Sequence, residues 1–370
     1  MNRKLKVLAL MALATTLTAG CSLQGNAQSG KNIVIEEDVQ LESALSDSSL
    51  EVQRLNDIVI EDDIPNTGFY QGDGGENIFY KENGELNHYK ISTKEKRKIV
   101  EGDNIIVSKN GEKAMTLSSK GKEAVVHNLI NGKIDKIDIE SPWDTFFIDE
   151  EGNEIASFDI NENKLQIIKV DSKETREWNI SEFDTYSLTS TIKVEDDYYI
   201  SARSKADGLY GVFKLSENHA VEKVFSAQDK EDQISTFHIL KNNNIIFEAM
   251  SKEQSGIYLF NQENNEVQQL IAGGKDSEGI WIPTYILSPD ESKIMFDTPV
   301  KFEGKYKTNV YMGEIIDGKL ANTVRILENA NLYAVISISG HWSEDSKTAY
   351  IVTPRENSEY VGALAVFQVK

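Results

Sequence analysis

Thiols are almost missing from this chain: Cys21 is its only cysteine. Everything downstream therefore lacks an internal disulfide and a cysteine metal site, and the domain must be held by its core. Long apolar runs are missing too. The first, from Val7 to Thr18, has about twelve residues where a membrane span needs roughly 20, so it reads as a cleaved signal and not a retained anchor. Basic charge is scarce, with 39 Lys and Arg against 60 Asp and Glu and a net charge of −21. Removing the first twenty residues takes away three basic side chains and moves the net charge to −24. Such a body repels duplex nucleic acid and anionic lipid, so no nucleic-acid partner is expected. The bases are thirty-two lysines and seven arginines, with abundant Asn and Ile, which is what an AT-rich genome encodes and points to a low-GC Gram-positive source.

What precedes the cysteine is informative. Arg3, Lys4 and Lys6 come first, then the apolar run, then Leu17-Thr18-Ala19-Gly20-Cys21. This resembles the signal peptide and lipobox of bacterial lipoproteins, with Thr18 standing where leucine is commonest and Leu17 one place early. The resemblance implies cleavage after Gly20, a diacylglyceryl group on the Cys21 thiol, fatty acylation, and attachment to the outer face of the cell membrane. The membrane, reached through this lipid, is the first expected partner.

The expected divisions are a signal peptide over 1–20, an acidic and largely disordered tether over 21–55, and a folded domain over 56–370. The tether is polar, rich in Ser, Gln, Asn and Gly, and without sustained apolar periodicity. Two similar pieces interrupt it, Ile33-Val34-Ile35-Glu36-Glu37-Asp38 and Ile58-Val59-Ile60-Glu61-Asp62-Asp63. Each is a candidate short strand, the second the better because it adjoins the folded body.

From about Phe69 onward, runs of Ile, Val, Tyr and Phe alternate with Gly, Asn, Asp and Ser turns, and no segment keeps a helical period. This is an all-β signature. Self-comparison reveals a strand, tight turn, strand repeat: Val107 to Met115 aligns with Ile148 to Ser157, with Leu287 to Met295, and with Trp342 to Tyr350. Gln71 to Phe79, Val194 to Ile200 and Leu240 to Ile246 complete the set. The turn anchors fall near Gly75, Gly111, Gly152, Asp197, Asn243, Glu291 and Ser346, at the spacing of propeller blades. A second hairpin follows most anchors, as in Ile257 to Phe260 with Val267 to Ile271, so each repeat supplies the four strands of a blade. Seven blades are expected, with six or eight left open by the two shortened turns. A terminal strand over Asp57 to Asp62 is expected to close the last blade, whose own chain ends after three strands.

Leu287-Ser288-Pro289-Asp290-Glu291-Ser292-Lys293 and Trp342-Ser343-Glu344-Asp345-Ser346-Lys347 resemble the repeat of TolB-like propellers, which reads roughly Trp-Ser-Pro-Asp-Gly before an apolar strand. Glu291 and Ser346 replace its glycine. The resemblance implies a propeller over about Asn56 to Lys370 and names no activity.

Chemistry-bearing motifs are sparse. His88, His127, His219, His238 and His341 are far apart, without the paired spacing of zinc hydrolases. There is no Gly-x-Ser-x-Gly elbow and no phosphate loop, since Asn77 stands where Gly72-Asp73-Gly74-Gly75 would need another glycine. Asp159-x-Asn161-x-Asn163 opens like a calcium loop, but Lys164 and Val170 replace its glycine and glutamate, and it reads as a solvated turn. No catalytic residue, metal ligand or cofactor is expected.

The candidates that remain are for binding. Asp103, Asp144 and Asp184 precede three successive inner strands, so closure would gather them at one mouth of the channel, where they would attract cations, amines or basic peptide. In so acidic a chain this can also be coincidence. Trp143 and Trp281 lie in connections between blades, either exposed as anchors for a partner or wedged between blades. Trp342 occupies a repeat position and belongs to the core. The expected activity is non-enzymatic binding of a protein or other envelope component. The alternative is an enzyme that uses carboxylates at the channel mouth, with or without a divalent cation, on a small polar substrate.

Overall fold

The computed structural model describes residues 50–370 apart from 66–68, 72–75, 103, 119–120, 142–143, 185–186, 189, 217–219, 252–253, 274–281, 303–304, 331–339 and 355–359. Cys21 and the first of the two Ile-Val-Ile pieces lie outside the described residues, as do Asp103, Trp143, His219 and Trp281.

The described chain forms a seven-bladed propeller of antiparallel sheets. Two N-terminal strands, β1 (Val52–Arg54) and β2 (Ile58–Pro65), come first and belong to the last blade. Blade 1 is β3 (Phe69–Gln71), β4 (Asn77–Glu82), β5 (Glu85–Lys90) and β6 (Glu95–Glu101). Blade 2 is β7 (Asn104–Val107), β8 (Lys113–Leu117), β9 (Glu123–Asn128) and β10 (Ile134–Asp138). Blade 3 is β11 (Thr145–Phe147), β12 (Glu154–Asp159), β13 (Lys164–Lys169) and β14 (Thr175–Asn179). In blade 4 the inner strand is split into β15 (Phe183–Asp184) and β16 (Ser190–Val194), both paired with β17 (Asp197–Ser204), followed by β18 (Tyr210–Leu215) and β19 (Val221–Ser226). Blade 5 is β20 (Gln233–Ile239), β21 (Ile245–Met250), β22 (Gly256–Asn261) and β23 (Glu266–Ala272). Blade 6 is β24 (Tyr285–Leu287), β25 (Lys293–Phe302), β26 (Lys305–Ile316) and β27 (Lys319–Ala330). Blade 7 is β28 (Gly340–Trp342), β29 (Thr348–Pro354) and β30 (Tyr360–Val369), completed by the N-terminal pair.

Closure follows the expected scheme and extends it. Ile58 and Val59 pair with Leu364 and Ala363, and upstream of them Val52 to Arg54 pairs with Val369 to Phe367. The sheet thus begins four residues before the expected start at Asn56. Without these strands β30 would leave a row of unpaired backbone groups at the edge.

Middle strands such as β12 and β21 are buried on both faces, because each radial sheet has a neighbour on either side. Outer strands such as β10 and β14 alternate exposed and sheltered residues. The core is consequently a set of seams between blades. Phe158, Trp178, Tyr198 and Phe213 fill the seam of blades 3 and 4, with Trp178 Nε1 donating to the Ser216 carbonyl at 3.0 Å. Trp342, as expected from its repeat position, is buried in the seam of blades 6 and 7.

The repeat anchors are turns of positive φ. Gly111 and Gly152 have φ of 74° and 67°, and Asn243, Glu291 and Ser346 adopt 64°, 62° and 58°. Glu291 and Ser346 therefore keep the backbone of the glycine they replace, and each gains a cross-blade bond: Lys241 N donates to Glu291 Oε2 at 2.8 Å, and Asp290 N donates to Ser346 Oγ at 3.0 Å. In blade 4 the positive φ falls on Glu195 at 54°, not on Asp197, which already begins β17. Gly75 lies outside the described residues.

Two predictions follow from this packing. Deletion through Asp63 should lower Tm steeply and broaden the transition, while deletion of Ser22 to Val39 should change it far less; equal Tm values in thermal denaturation would refute closure. At Gly256, an added Cβ would lie 2.2 Å from the Ile271 carbonyl oxygen, a backbone atom that cannot swing away. Gly256→Ala should cost about 1–3 kcal/mol, measurable as a lower urea midpoint.

Candidate functional site

The inner strands β3, β7, β11, β15/β16, β20, β24 and β28 ring the channel, with blade-to-blade connections at one end and inner hairpin turns at the other. Asp144 and Asp184 are at the connection end. Asp144 precedes β11, its Oδ2 accepts a hydrogen bond from Ser141 Oγ at 2.9 Å, and its carbonyl accepts from Phe158 N at 3.1 Å. Asp184 ends β15, its carbonyl accepting from Ser187 Oγ at 2.6 Å, directly across the register from Arg203. Asp144 thus precedes its inner strand, whereas Asp184 lies within its own and does not precede it, and the described bonds tie each to its own connection. Beneath them Thr145 Oγ1 donates to the Ser141 carbonyl at 2.5 Å and lies 2.9 Å from Ser157 Oγ, so the connection into blade 3 is held by buried hydroxyls.

The turn end holds groups that the sequence reading passed over. Lys109 Nζ and Glu150 Oε1, on adjacent turns of blades 2 and 3, are 2.5 Å apart, and Asn110 N donates to the Glu150 carbonyl at 3.1 Å. Burial among the turns pushes the Glu150 carboxyl up, but Lys109 outweighs it, with smaller contributions from His238 and His341, and holds it below the ordinary range. Two histidines more than a hundred residues apart are thus brought to bear on one carboxylate. Their signal was present in the repeat: both stand five places before their anchors, Asn243 and Ser346, while Lys109 and Glu150 both stand two places before Gly111 and Gly152.

From His238 a polar track runs along the seam of blades 5 and 6. Tyr285 Oη donates its one proton to the Ile246 carbonyl at 3.2 Å, so the His238 Nδ1 that lies 3.2 Å from the same oxygen is the donor. This fixes the neutral Nδ1–H tautomer and leaves Nε2 a bare acceptor. Burial, reinforced by Lys109 and opposed by Glu150, lowers the His238 pKa to about 4, and the ring stays neutral at pH 7. Burial and the charge of Glu248 raise the Tyr285 hydroxyl well above its ordinary range.

Glu248, on β21, is 8% exposed and accepts from Ser235 Oγ at 3.1 Å. Its pKa rises to about 7 because burial outweighs the hydrogen bonds from Ser235 and Thr236, and the nearby charge of Asp297 adds to the rise. Asp297 is itself held by Thr284, whose N and Oγ1 donate at 2.9 and 2.8 Å. Among the described residues no group of three or more His, Cys, Asp or Glu could hold a metal ion.

No family model matches the chain, and no curated protein matches it. Among solved structures it is similar to the β-propeller domain of Cps50 (Swd1) from Myceliophteria thermophila, with a TM-score of 0.51, 11% identity, and coverage of 86% of this chain and 100% of that one. It is also similar to U3-55K, with a TM-score of 0.50, 10% identity, and coverage of 86% and 98%. At this identity the likeness shows the fold alone, and the class that the fold defines is a seven-bladed β-propeller.

Ionisation of Glu248 gives a signed prediction. Its pKa is higher folded, about 7, than the ordinary 4.5, so the native state holds a proton that the unfolded state releases between those values. Stability is complete below about pH 4.5 and falls as pH rises to about 7, by about 3 kcal/mol. Glu248→Gln should remove this dependence, so its stability relative to the parent should increase between pH 4.5 and 8. An unchanged difference in denaturant titrations at the two pH values would show that the carboxyl is not the source.

Proposed function

We propose that this protein is a lipid-anchored, extracytoplasmic binding propeller, held at the cell membrane through Cys21, which captures a protein or another envelope component at the connection end of its channel. The observation that carries the reading is the position of β1: the chain arriving from the tether joins the ring on the outermost strand of blade 7, away from the inner strands around the channel. An anchor at the rim leaves the channel mouths available to a partner. Thirty-one residue steps separate Cys21 from Val52. As a coil this tether would have an end-to-end distance of about 30 Å, enough for the ring to turn above the bilayer. The lipobox and TolB-like resemblances support the same assignment.

In this reading Asp103, Asp144 and Asp184 line the mouth and select cationic partners, with Trp143 beside Asp144 and Trp281 in the connection from blade 5 to blade 6 as apolar anchors. The ring is rigid, so it binds without the entropic cost of ordering loops.

Two measurements test the proposal. Cys21→Ser should abolish incorporation of labelled fatty acid and release the protein from membranes without detergent; acylation that persists would remove the anchor from the account. Crosslinking in intact cells with Asp103, Asp144 and Asp184 all changed to Asn should lose partners that remain when Glu36, Glu37 and Asp38 of the tether are neutralised instead. Loss of the same partners from both would assign capture to bulk charge.

A further inference from the structure

The seam between blades 1 and 2 opens outward as a basic, apolar wedge. On the blade 1 side Phe79, His88 and Arg97 are successive cross-strand partners on β4, β5 and β6, and the Phe79 and His88 rings stack at 5.1 Å. On the blade 2 side Ala114, His127 and Ile134 are the corresponding partners on β8, β9 and β10. Phe79 and Ala114 belong to one buried cluster, so these two ladders face each other. Passing outward, the wedge is lined by the two imidazoles, then by Arg97 and Ile134, with Lys136 two residues beyond on the same face of β10.

This wedge is poorly covered. Ile130 and Ile134 are 71% and 58% exposed, higher than Ile316 at 47% and Leu55 at 40%. The hairpin tip that presents Ile130 is held in shape: Asn128 Oδ1 accepts from the backbone N of Ile130 and of Asn131, both at 3.0 Å, and Gly132 turns the chain at φ 76°. Two isoleucines held on one hairpin offer an apolar surface on which an occupant can seat. Arg97 has no ion-pair partner among the described residues, and Lys136 has Glu123 at 3.1 Å, a surface pair of little worth that a competing carboxylate can exchange. From Asn104 to Asp138 the chain carries six basic and four acidic side chains, against an excess of acid overall.

We propose that the occupant is the chain's own segment Ile33–Asp38, which adds as a strand along the outer edge of β10. Its composition matches the wedge: Ile-Val-Ile for Ile130 and Ile134, and Glu-Glu-Asp for Arg97 and Lys136. The protein already uses this sequence type at a blade edge, since Ile58-Val59 of the similar piece pairs with Leu364 and Ala363 on β30. Strand addition supplies backbone bonds along an open edge and side-chain selection through alternate positions.

Reach and direction agree with this. The tether enters at Leu50 and Val52, beside Val369, whose N donates to the Lys347 carbonyl. That is the hairpin-turn end of the ring, the end that carries the Asn128 to Lys133 tip. Fourteen residue steps from Asp38 to Val52 span up to about 50 Å when extended. A compact body of this size has a radius of gyration of about 20 Å, so the segment can reach blade 2.

The test uses the full chain with Cys21→Ser, which removes the only native thiol. One variant adds Ile35→Cys with Ile134→Cys, and the control adds Ile35→Cys with Ile316→Cys. Ile316 is a stringent control: it lies on an equivalent hairpin tip of blade 6, next to blade 7 where the tether enters, but Glu314 and Asp317 flank it. Under mild oxidation the Ile134→Cys pair should form an intramolecular disulfide at least tenfold faster than the control, and adding Arg97→Glu with Lys136→Glu should erase the advantage. Equal rates, disulfides only between chains, or insensitivity to the charge reversal would each overturn the proposal.

Discussion

The pairing of β30 with strands from the other end of the chain is the constraint on which everything else depends. Blade 7 has three strands of its own, and its fourth is supplied by residues roughly three hundred positions earlier. Until that pairing forms, neither the seam of blades 6 and 7 nor that of blades 7 and 1 can be buried. Leu50 packs into the first of these and Ile58 into the second, so a single short region fastens both sides of one blade. Closure therefore buries apolar surface in two seams and pairs an edge at once, and the ring is cooperative where a linear array of the same blades would fray.

The inner hairpin turns add a second level of connection. The bond from Asn110 N to Glu150, that from Lys193 N to the Ile148 carbonyl at 3.1 Å, and those that reach Glu291 and Ser346 each join one turn to the next. These turns hold the channel end where Lys109, Glu150, His238 and His341 meet. The seams themselves are lined mostly by apolar side chains, which makes the Glu248 track costly to ionise and local in its consequences. A carboxyl in that position is neutral when the seam is tight and charged when it loosens, so protonation and packing of blades 5 and 6 are linked.

Much of this was legible before any coordinates. Five of the seven anchors (Gly111, Gly152, Asn243, Glu291 and Ser346), the inner and outer hairpins of blade 5, the place of Trp342 and the closing strand at Ile58 all follow from apolar alternation and turn residues, which are local signals. What was missed is what depends on neighbouring blades. Val52 to Arg54 has no pattern of its own, as only its partner on β30 makes it a strand. Asp197 has the residue type of a turn, while the hairpin geometry places the positive φ on Glu195. His238 and His341 looked isolated when compared by sequence distance, but compared by repeat position they share one level of the ring. Glu248 carried no signal, since its shifted titration comes from burial against blade 6 and from Asp297. Asp144 precedes its inner strand as expected while Asp184 is drawn into β15, and their bonds to Ser141 and Ser187 depend on loop conformations that no periodicity encodes.

The closing strand also shows how the two Ile-Val-Ile pieces differ in use. Between Val59 and Ile64 the partner on β30 advances only from Ala363 to Val361, so the ladder is irregular there. A bulged outer strand does not easily accept another chain, because its free edge is irregular. The same residues that fasten the ring thereby guard its rim at blade 7. The outer edge of blade 2 has the opposite character, regular in its pairing of Ile134 to Asp138 with His127 to Glu123 and presenting isoleucine and lysine. One edge is irregular and the other regular, which is why the proposed strand addition falls on blade 2 and not on blade 7.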